Sequence, residues 1–447
     1  MRVLIQLRPA ADVVASVIDP DVRTTVADII GELRGVLLDD AFEPVPVPRP
    51  VTAHGDPLSL HQRVGFSLTP EDASVLVRGE ISDAEFSTRA SLLPASVREV
   101  VGVYVDPVIE PNATCGGDGP VGDWQEVRRL LHASDLWAQG HDGSGVALAV
   151  VDSGINAAHV EARIGHAVSI DAKRSWSPAG VDRTPGKYAV DHGTMCAFDA
   201  LLAAPKATLL DIPVLLSRSS GMSGLLSDAI AAYSHLANVL KAMPAESKSL
   251  VVTNSWGLFS PQGDFPPGHP SNYSDNPAHP FNVIVGSLED AGADILFAAG
   301  NCGRECPDKR CGFPDRPING ANSHPSVSSV GGVDTRGERV GYSSQGPGRL
   351  SERKPDFCAY THFAGSEAVG AADTGTSAAC PVAAGVVAAV RSRRSATQLS
   401  PAQLRTLINR TADDRSTVGF DYDYGYGIID PVAVLAALGR QSGTRAA

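Results

Sequence analysis

The chain has 447 residues, enough for two or three domains and a large hydrophobic core. Lys and Arg number 37 against 50 Asp and Glu, and the resulting formal charge of −13 argues against nonspecific binding to nucleic acid or anionic membranes. No apolar run is long enough to span a bilayer.

Residues 1–111 read as a small α/β unit. Arg2 to Leu7 has strand character, and with Met1 and the residues up to Pro9 it is too short and too interrupted for a secretory signal. Residues 21–34 carry Val22, Val26, Ile29, Ile30 and Leu33 at helical spacing, which predicts an amphipathic helix. Residues 36–38 open another strand, and the proline-rich 44–50 is a loop. Thr69, followed by Pro70, Glu71 and Asp72, reads as a helix start, and residues 97–108 return to strand. Residues 112–123 are glycine-rich and predict an exposed, cleavable linker. Seven cysteines leave at least one thiol unpaired within the chain, which with the missing signal predicts a cytoplasmic protein whose cysteines are mostly reduced.

From residue 124 to 438 the pattern alternates. A helix is predicted over 124–137, then a buried strand through Val146–Val151 ending at Asp152. Strands follow near 208–215, 249–253 and 294–299, separated by helices near 195–204, 223–243 and 280–291. Strands joined by helices of that length imply right-handed crossovers and a doubly wound parallel sheet. Helices near 375–392 and 401–412 and a closing helix after Pro431 complete the unit, and 439–447 reads as a frayed tail.

Three stretches carry chemistry. Asp152 ends a buried strand, where open α/β sheets collect their catalytic groups. His192 opens a small-residue helix, and its reference pKa near 6.5 suits a proton shuttle. Ser377 follows Gly375 and Thr376 at the start of an apolar helix, whose unpaired N–H groups favour negative charge. Taken alone, each has an ordinary structural explanation as a cap or a packed residue. Together they supply an acid, an imidazole and a hydroxyl in the chain order Asp, His, Ser.

In this order the motifs resemble those of the subtilisin-like serine proteases, the subtilase family. Val150-Val151-Asp152-Ser153-Gly154-Ile155 is similar to that family's aspartate motif, His192-Gly193-Thr194 to its histidine motif, and Gly375-Thr376-Ser377 through Pro381 to its serine motif. Ala298-Ala299-Gly300-Asn301 resembles the segment bearing its oxyanion asparagine. Met195 and the run Ala378-Ala379-Cys380-Pro381-Val382 depart from the usual family residues without touching these positions. The resemblance covers residues 125–437 and implies a serine endopeptidase with Ser377 as nucleophile, His192 as general base, Asp152 orienting the imidazole and Asn301 stabilising the oxyanion.

The resemblance also implies that Ser220, Gly221 and Met222, then Ser255, Trp256 and Gly257, with Ala299 and Gly300, line an extended peptide substrate. It implies further that residues 1–111 act as a prodomain whose end enters the active site, with a permanent accessory domain as the alternative. No cofactor is required for such chemistry; the family's structural calcium has no placeable site. Protein or peptide is the expected partner, with neither nucleic acid nor membrane, and oligomeric state is not legible. Cys302, Cys306 and Cys311 lack a paired spacing with histidine for zinc and are expected as a local disulfide or buried thiols. Cys196 and Cys380 are expected as small buried fillers, and His269 and His279 as surface residues. A serine esterase would need G-x-S-x-G and the order Ser, Asp, His, which are absent around Ser377. A dedicated processing protease with one partner substrate, and an inactive peptide-binding relative, remain as alternatives.

Overall fold

A computed structural model describes residues 1–52, 64–111, 113–114, 119–218 and 221–444, with the backbone alone for 441–444. Its centre is a seven-stranded parallel sheet. The spatial order is Ser169–Ile170, Thr208–Ile212, Ala147–Val151, Leu250–Asn254, Ala293–Ala298, Ser328–Val333 and Phe357–Tyr360. The central strands are fully buried and mostly apolar, as a parallel sheet covered on both faces requires.

The two-residue alternation assigns each strand's side chains to a layer. In Ala147–Val151, Leu148 and Val150 face the helices His192–Leu201 and Thr376–Arg391. Ala147, Ala149 and Val151 face the helices Leu226–Ala242 and Pro280–Asp290. The chain leaves Ala147–Val151 for one side of the sheet, then returns to pair Leu250–Asn254 on the other. That reversal opens a crevice at the strands' carboxyl ends, where Asp152 lies.

The strands Ser328–Val333 and Phe357–Tyr360 were not legible in the sequence; Gly331 and Gly332 interrupt the first and the second has only four residues. The region 124–137 is two helices, Trp124–Leu130 and Ala133–Ala138, because His132 adopts a left-handed φ of 50°. The closing helix Pro431–Thr444 runs on into the stretch expected to fray.

The first hundred residues build an antiparallel sheet ordered Leu37–Leu38, Ser74–Glu80, Arg2–Leu7, Val100–Val105, with Val45–Val47 also paired to Ser74–Glu80. Three expectations fail here, the first being the loop read over 44–50, which holds the strand Val45–Val47 and the start of the strand Arg49–Thr52. The predicted helix over 21–34 is replaced by Ala11–Ile18 and the single turn Val26–Ile29. Thr25 and Asp28 cap that turn reciprocally, but Ile30 is already extended ahead of Gly31, which ends it. The helix start at Thr69 is a closed turn instead. The Ser67 hydroxyl donates to Asp72 at 2.6 Å, and the β-branched run beginning at Ser74 then forms the most heavily paired strand of the sheet. Among the described residues no helix is long and apolar enough to cross a membrane.

This sheet is joined to the parallel one through the start of Leu226–Ala242. Asp106 accepts from the Ser227 N–H and hydroxyl, both at 2.8 Å, and the Pro107 carbonyl accepts from Leu226 N at 3.0 Å. Arg78 reaches across to Asp228 at 3.2 Å. The Leu226 and Ser227 N–H groups, two donors that a helix start leaves unpaired, are thereby engaged from outside the helix.

His192–Leu201 and Thr376–Arg391 pack so closely that a Cβ on Gly385 would stand 2.2 Å from the Ala200 carbonyl oxygen. Alanine's helix propensity gains about 1 kcal/mol over glycine, whereas forcing atoms into a packed contact costs about 1–3 kcal/mol. The obstacle is backbone, so the clash wins. Gly385→Ala should lower the thermal unfolding midpoint by several degrees; a variant as stable as wild type would contradict this packing.

Candidate active site

Asp152 follows Val151 directly, and its carboxylate is held by its neighbours before any imidazole is considered. Ser153 N donates to Oδ1 at 2.7 Å, and the backbone is pinned by Asp152 N to Ile212 O and Leu215 N to Asp152 O, both 3.0 Å. His192 is the first residue of its helix, capped by Asp191, whose side chain accepts from His192 N at 2.9 Å. Gly193 N donates to Ser153 Oγ at 2.9 Å, tying this helix to the aspartate turn. The result is a buried His192 Nδ1 to Asp152 Oδ1 contact of 2.8 Å. A carboxylate can only accept, so Nδ1 carries the hydrogen and Nε2 is the free, basic nitrogen.

Burial would push the His192 pKa down. The charge and hydrogen bond of Asp152, with the charge of Asp191, outweigh it and hold the imidazole above its ordinary value.

Ser377 stands in the first turn of Thr376–Arg391 and is buried. Its hydroxyl donates to the Ser255 carbonyl at 3.4 Å, and its own carbonyl accepts from the Ser255 hydroxyl at 3.0 Å. Ser255 therefore brackets Ser377 from the end of the strand Leu250–Asn254. Gly375, before the helix, has φ of 78°, and a Cβ there would meet Asn301 Nδ2 at 2.8 Å.

Asn301 is fully buried just past Ala293–Ala298. Its Oδ1 accepts from the Thr376 N–H at 2.9 Å and from the Thr376 hydroxyl at 3.1 Å, while that hydroxyl accepts from Gly300 N at 2.9 Å. An N–H can only donate, so the Thr376 contact fixes which end of the amide is oxygen. The Nδ2 end is thereby aimed at the Ala113 carbonyl, 3.4 Å away.

The chain's own segment around residue 110 lies against this site. Val108–Ile109 pairs antiparallel with Gly224–Leu225. Glu110 and Gly257 exchange backbone hydrogen bonds of 3.3 and 3.1 Å. The segment thus adds a strand between two exposed edges.

Of the residues expected to line a substrate, Gly257 is paired in this way. Ser255 acts on Ser377, and the Ala299 and Gly300 N–H groups bond Val330 O and Thr376 Oγ1. Ser220 lies outside the described residues. Gly221 is exposed and Met222 half-buried, and the pairing falls instead on Gly224, which closes the same segment, and on Leu225, which sequence reasoning missed. A Cβ on Gly224 would meet Val214 O at 2.1 Å, so glycine fits this edge, whereas Leu225 carried no such signal. The Trp256 indole is 1% exposed and donates to Val151 O at 3.0 Å, so this side chain belongs to the core and corrects its assignment to substrate.

His279 corrects another expectation. It is buried between the Tyr104 and Tyr273 rings, caps Pro280–Asp290 through Nδ1, and burial drives its pKa down to about 3. His269 is exposed, as expected. Cys302 and Cys311 form a disulfide, and Cys306 is disulfide-bonded as well. Cys196 and Cys380 are buried thiols, but Cys196 is more than filler: Sγ is 3.6 Å from both Asp152 Oδ2 and Ser377 O.

The imidazole geometry makes a direct prediction. By NMR, the His192 ring should titrate above 6.5 in wild type, being charged below that midpoint and neutral above it. Asp152→Asn removes the opposing charge and leaves the burial, so the midpoint should fall below 6.5. An unchanged midpoint would mean that Asp152 does not set the charge of this ring.

Comparison with known proteins agrees with this geometry. The subtilase family model matches residues 143–427. Subtilisin DY of Bacillus licheniformis is 27% identical over 305 residues, covering 67% of this chain and 94% of its own. Subtilisin E of Bacillus subtilis (strain 168) is 26% identical over 309 residues, covering 67% and 68%. A calcium-dependent protease of Nostoc sp. is 29% identical over 346 residues, covering 67% of this chain and 47% of its own. The chain belongs to the subtilase family and is a serine endopeptidase.

Proposed function

We propose that Ser377, His192, Asp152 and Asn301 carry this hydrolysis, and that residues 1–111 are a prodomain whose end is the first substrate. The observation that carries the reading is the Asn301 amide, oriented by Thr376 toward the Ala113 carbonyl in a segment held as an added strand.

The steps follow from the atoms. The Ser377 hydroxyl turns from the Ser255 carbonyl toward His192 Nε2, which takes its proton as Oγ attacks the carbonyl carbon. Asp152 stabilises the imidazolium that results. The oxyanion accepts from Asn301 Nδ2 and the Ser377 N–H, donors already in place before charge develops. His192 then returns the proton to the departing amine, and water hydrolyses the acyl-serine by the same relay.

A peptide laid beside Ser377 by its own tether reacts intramolecularly, an advantage worth several kcal/mol when the geometry is near attack. Beyond the Gly-rich stretch, Val121 N bonds His362 O at 2.7 Å and Trp124 N bonds Ala364 O at 2.9 Å, so the downstream side is held to the catalytic body. Cleavage at or next to the Ala113 carbonyl would leave both products folded.

Calcium appears in the names of two relatives, and we assign no site for it on this chain. Among the described residues, the one group of three His, Cys, Asp or Glu side chains close enough to share an ion is Asp152, His192 and Cys196. Calcium takes six to eight oxygen ligands, whereas this group is one carboxylate, one imidazole and one thiol that already contact each other.

Purified wild-type protein should ripen into pieces of roughly 113 and 334 residues, the larger beginning at Ala113 or Thr114. Ser377→Ala should stay at 447 residues. Asn301→Ala should ripen about 10²–10³ times more slowly, a magnitude set on subtilisin, a relative of this chain. Intact mass decides. Wild-type protein that hydrolyses peptides while still full length would overturn the prodomain reading.

A further inference from the structure

The loop after Asn301 contains a charged device that peptide hydrolysis by itself does not need. Cys302 and Cys311 are joined by a disulfide, closing the loop against the asparagine. Inside it, Arg310 Nη1 lies 2.8 Å from Glu110 Oε1, and Nη2 donates to the Pro111 carbonyl at 3.0 Å. Both partners belong to the segment that occupies the cleft.

The guanidinium is held from the other side by its own loop. Asp308 accepts from Nη2 at 2.6 Å and from Nε at 3.1 Å, and the Phe259 ring lies 5.9 Å from its centre. Asp308 is itself anchored through its N–H to the Asn301 carbonyl at 2.9 Å, and its Oδ2 accepts from Ala113 N at 2.9 Å. With Nε and Nη2 engaged by Asp308, Nη1 is the donor pointed at Glu110.

We propose that Arg310, fixed by Asp308 within the Cys302–Cys311 loop, is a specificity-determining residue that selects peptides with a carboxylate at the position of Glu110. The inference rests on the reading above that residues 108–111 and 113 dock as a substrate does. The occupant it assigns is a peptide in extended form, pairing its backbone with Gly257, placing an acidic side chain on Arg310 Nη1 and presenting the third carbonyl further on to Asn301. The precursor's own tail meets all three demands.

The magnitude follows from exposure. Arg310 and Glu110 are both about one-third exposed, so water screens the pair; an exposed ion pair alone would change affinity only a few-fold. Asp308 within the same loop also holds Arg310, which limits the side-chain freedom lost to the carboxylate, and a charge-assisted contact approaches tenfold.

The test uses the matured enzyme and internally quenched peptides carrying residues 106–114, with Glu110 kept or replaced as Glu110→Gln or Glu110→Lys. Casein digestion, run in parallel, monitors hydrolysis independently of that position. Wild type should prefer the Glu110 peptide over the Gln peptide by about three- to tenfold in kcat/KM, with the Lys peptide poorest. Arg310→Gln should flatten that order, and Arg310→Glu should favour the Lys peptide. Since each comparison is a ratio within one enzyme, a variant of reduced stability still reports. Casein cleaved with all three peptides cut equally would overturn the inference and leave the hydrolytic reading standing. Neither casein nor the Glu110 peptide cleaved would overturn both.

Discussion

Thr376 is clasped to Asn301 through two hydrogen bonds into one amide oxygen, and the geometry of the site depends on that clasp. It joins the turn after Ala293–Ala298 to the start of Thr376–Arg391, so one contact sets both the amide direction and the place of Ser377. A buried backbone N–H left without a partner costs about 1–3 kcal/mol, which is why the amide does not turn over. Gly300 N adds a third bond to the same hydroxyl, and Gly375 leaves the room that Asn301 Nδ2 needs. The Asp152–His192 pair is built separately, from the strand Ala147–Val151 and an adjacent helix N-terminus. The packing of the two helices at Gly385 holds these halves in register.

The parallel sheet and the residues at its carboxyl ends were legible because each depends on local signals. Buried strands such as Ala147–Val151 are continuous apolar runs, and Asp152, His192 and Ser377 sit beside glycines and small residues that mark tight turns. What escaped depends on distant partners. Ser328–Val333 is a strand because its neighbours pair with it, and its two glycines hide it. Residues 21–34 have helical spacing, yet the reciprocal Thr25–Asp28 cap supports only one turn before Ile30 extends. His279 looks like a loop residue until Tyr104, from the other sheet, closes over it. The Trp256 indole fills the core although its neighbours Ser255 and Gly257 serve the site.

The N-terminal sheet and the catalytic body meet through a shared apolar cluster, with Leu4, Val45, Leu76 and Tyr104 on one side and Leu226, Tyr233 and Phe281 on the other, and through polar contacts at a helix start and a segment laid along two edges. Backbone pairing with Gly224–Leu225 and Gly257 is sequence-tolerant and supplies alignment. Discrimination has to come from side chains, and Arg310 is the cation placed where a side chain of that segment reaches. The disulfide-bonded loop connects this cation to Asn301, so the Glu110 contact and the Ala113 carbonyl share a frame. On the proposal that Arg310 selects an acidic side chain, the cleft would accept a narrower set of substrates than backbone pairing alone allows.

The central claim is that Ser377 is the nucleophile activated by the buried His192–Asp152 pair. Covalent labelling with a fluorophosphonate probe, followed by mass mapping of the adduct, tests it most directly. The account predicts a single adduct on Ser377 that is absent from correctly folded Ser377→Ala and formed much more slowly by Asp152→Asn. An adduct on another serine, or undiminished labelling of Ser377→Ala, would contradict it.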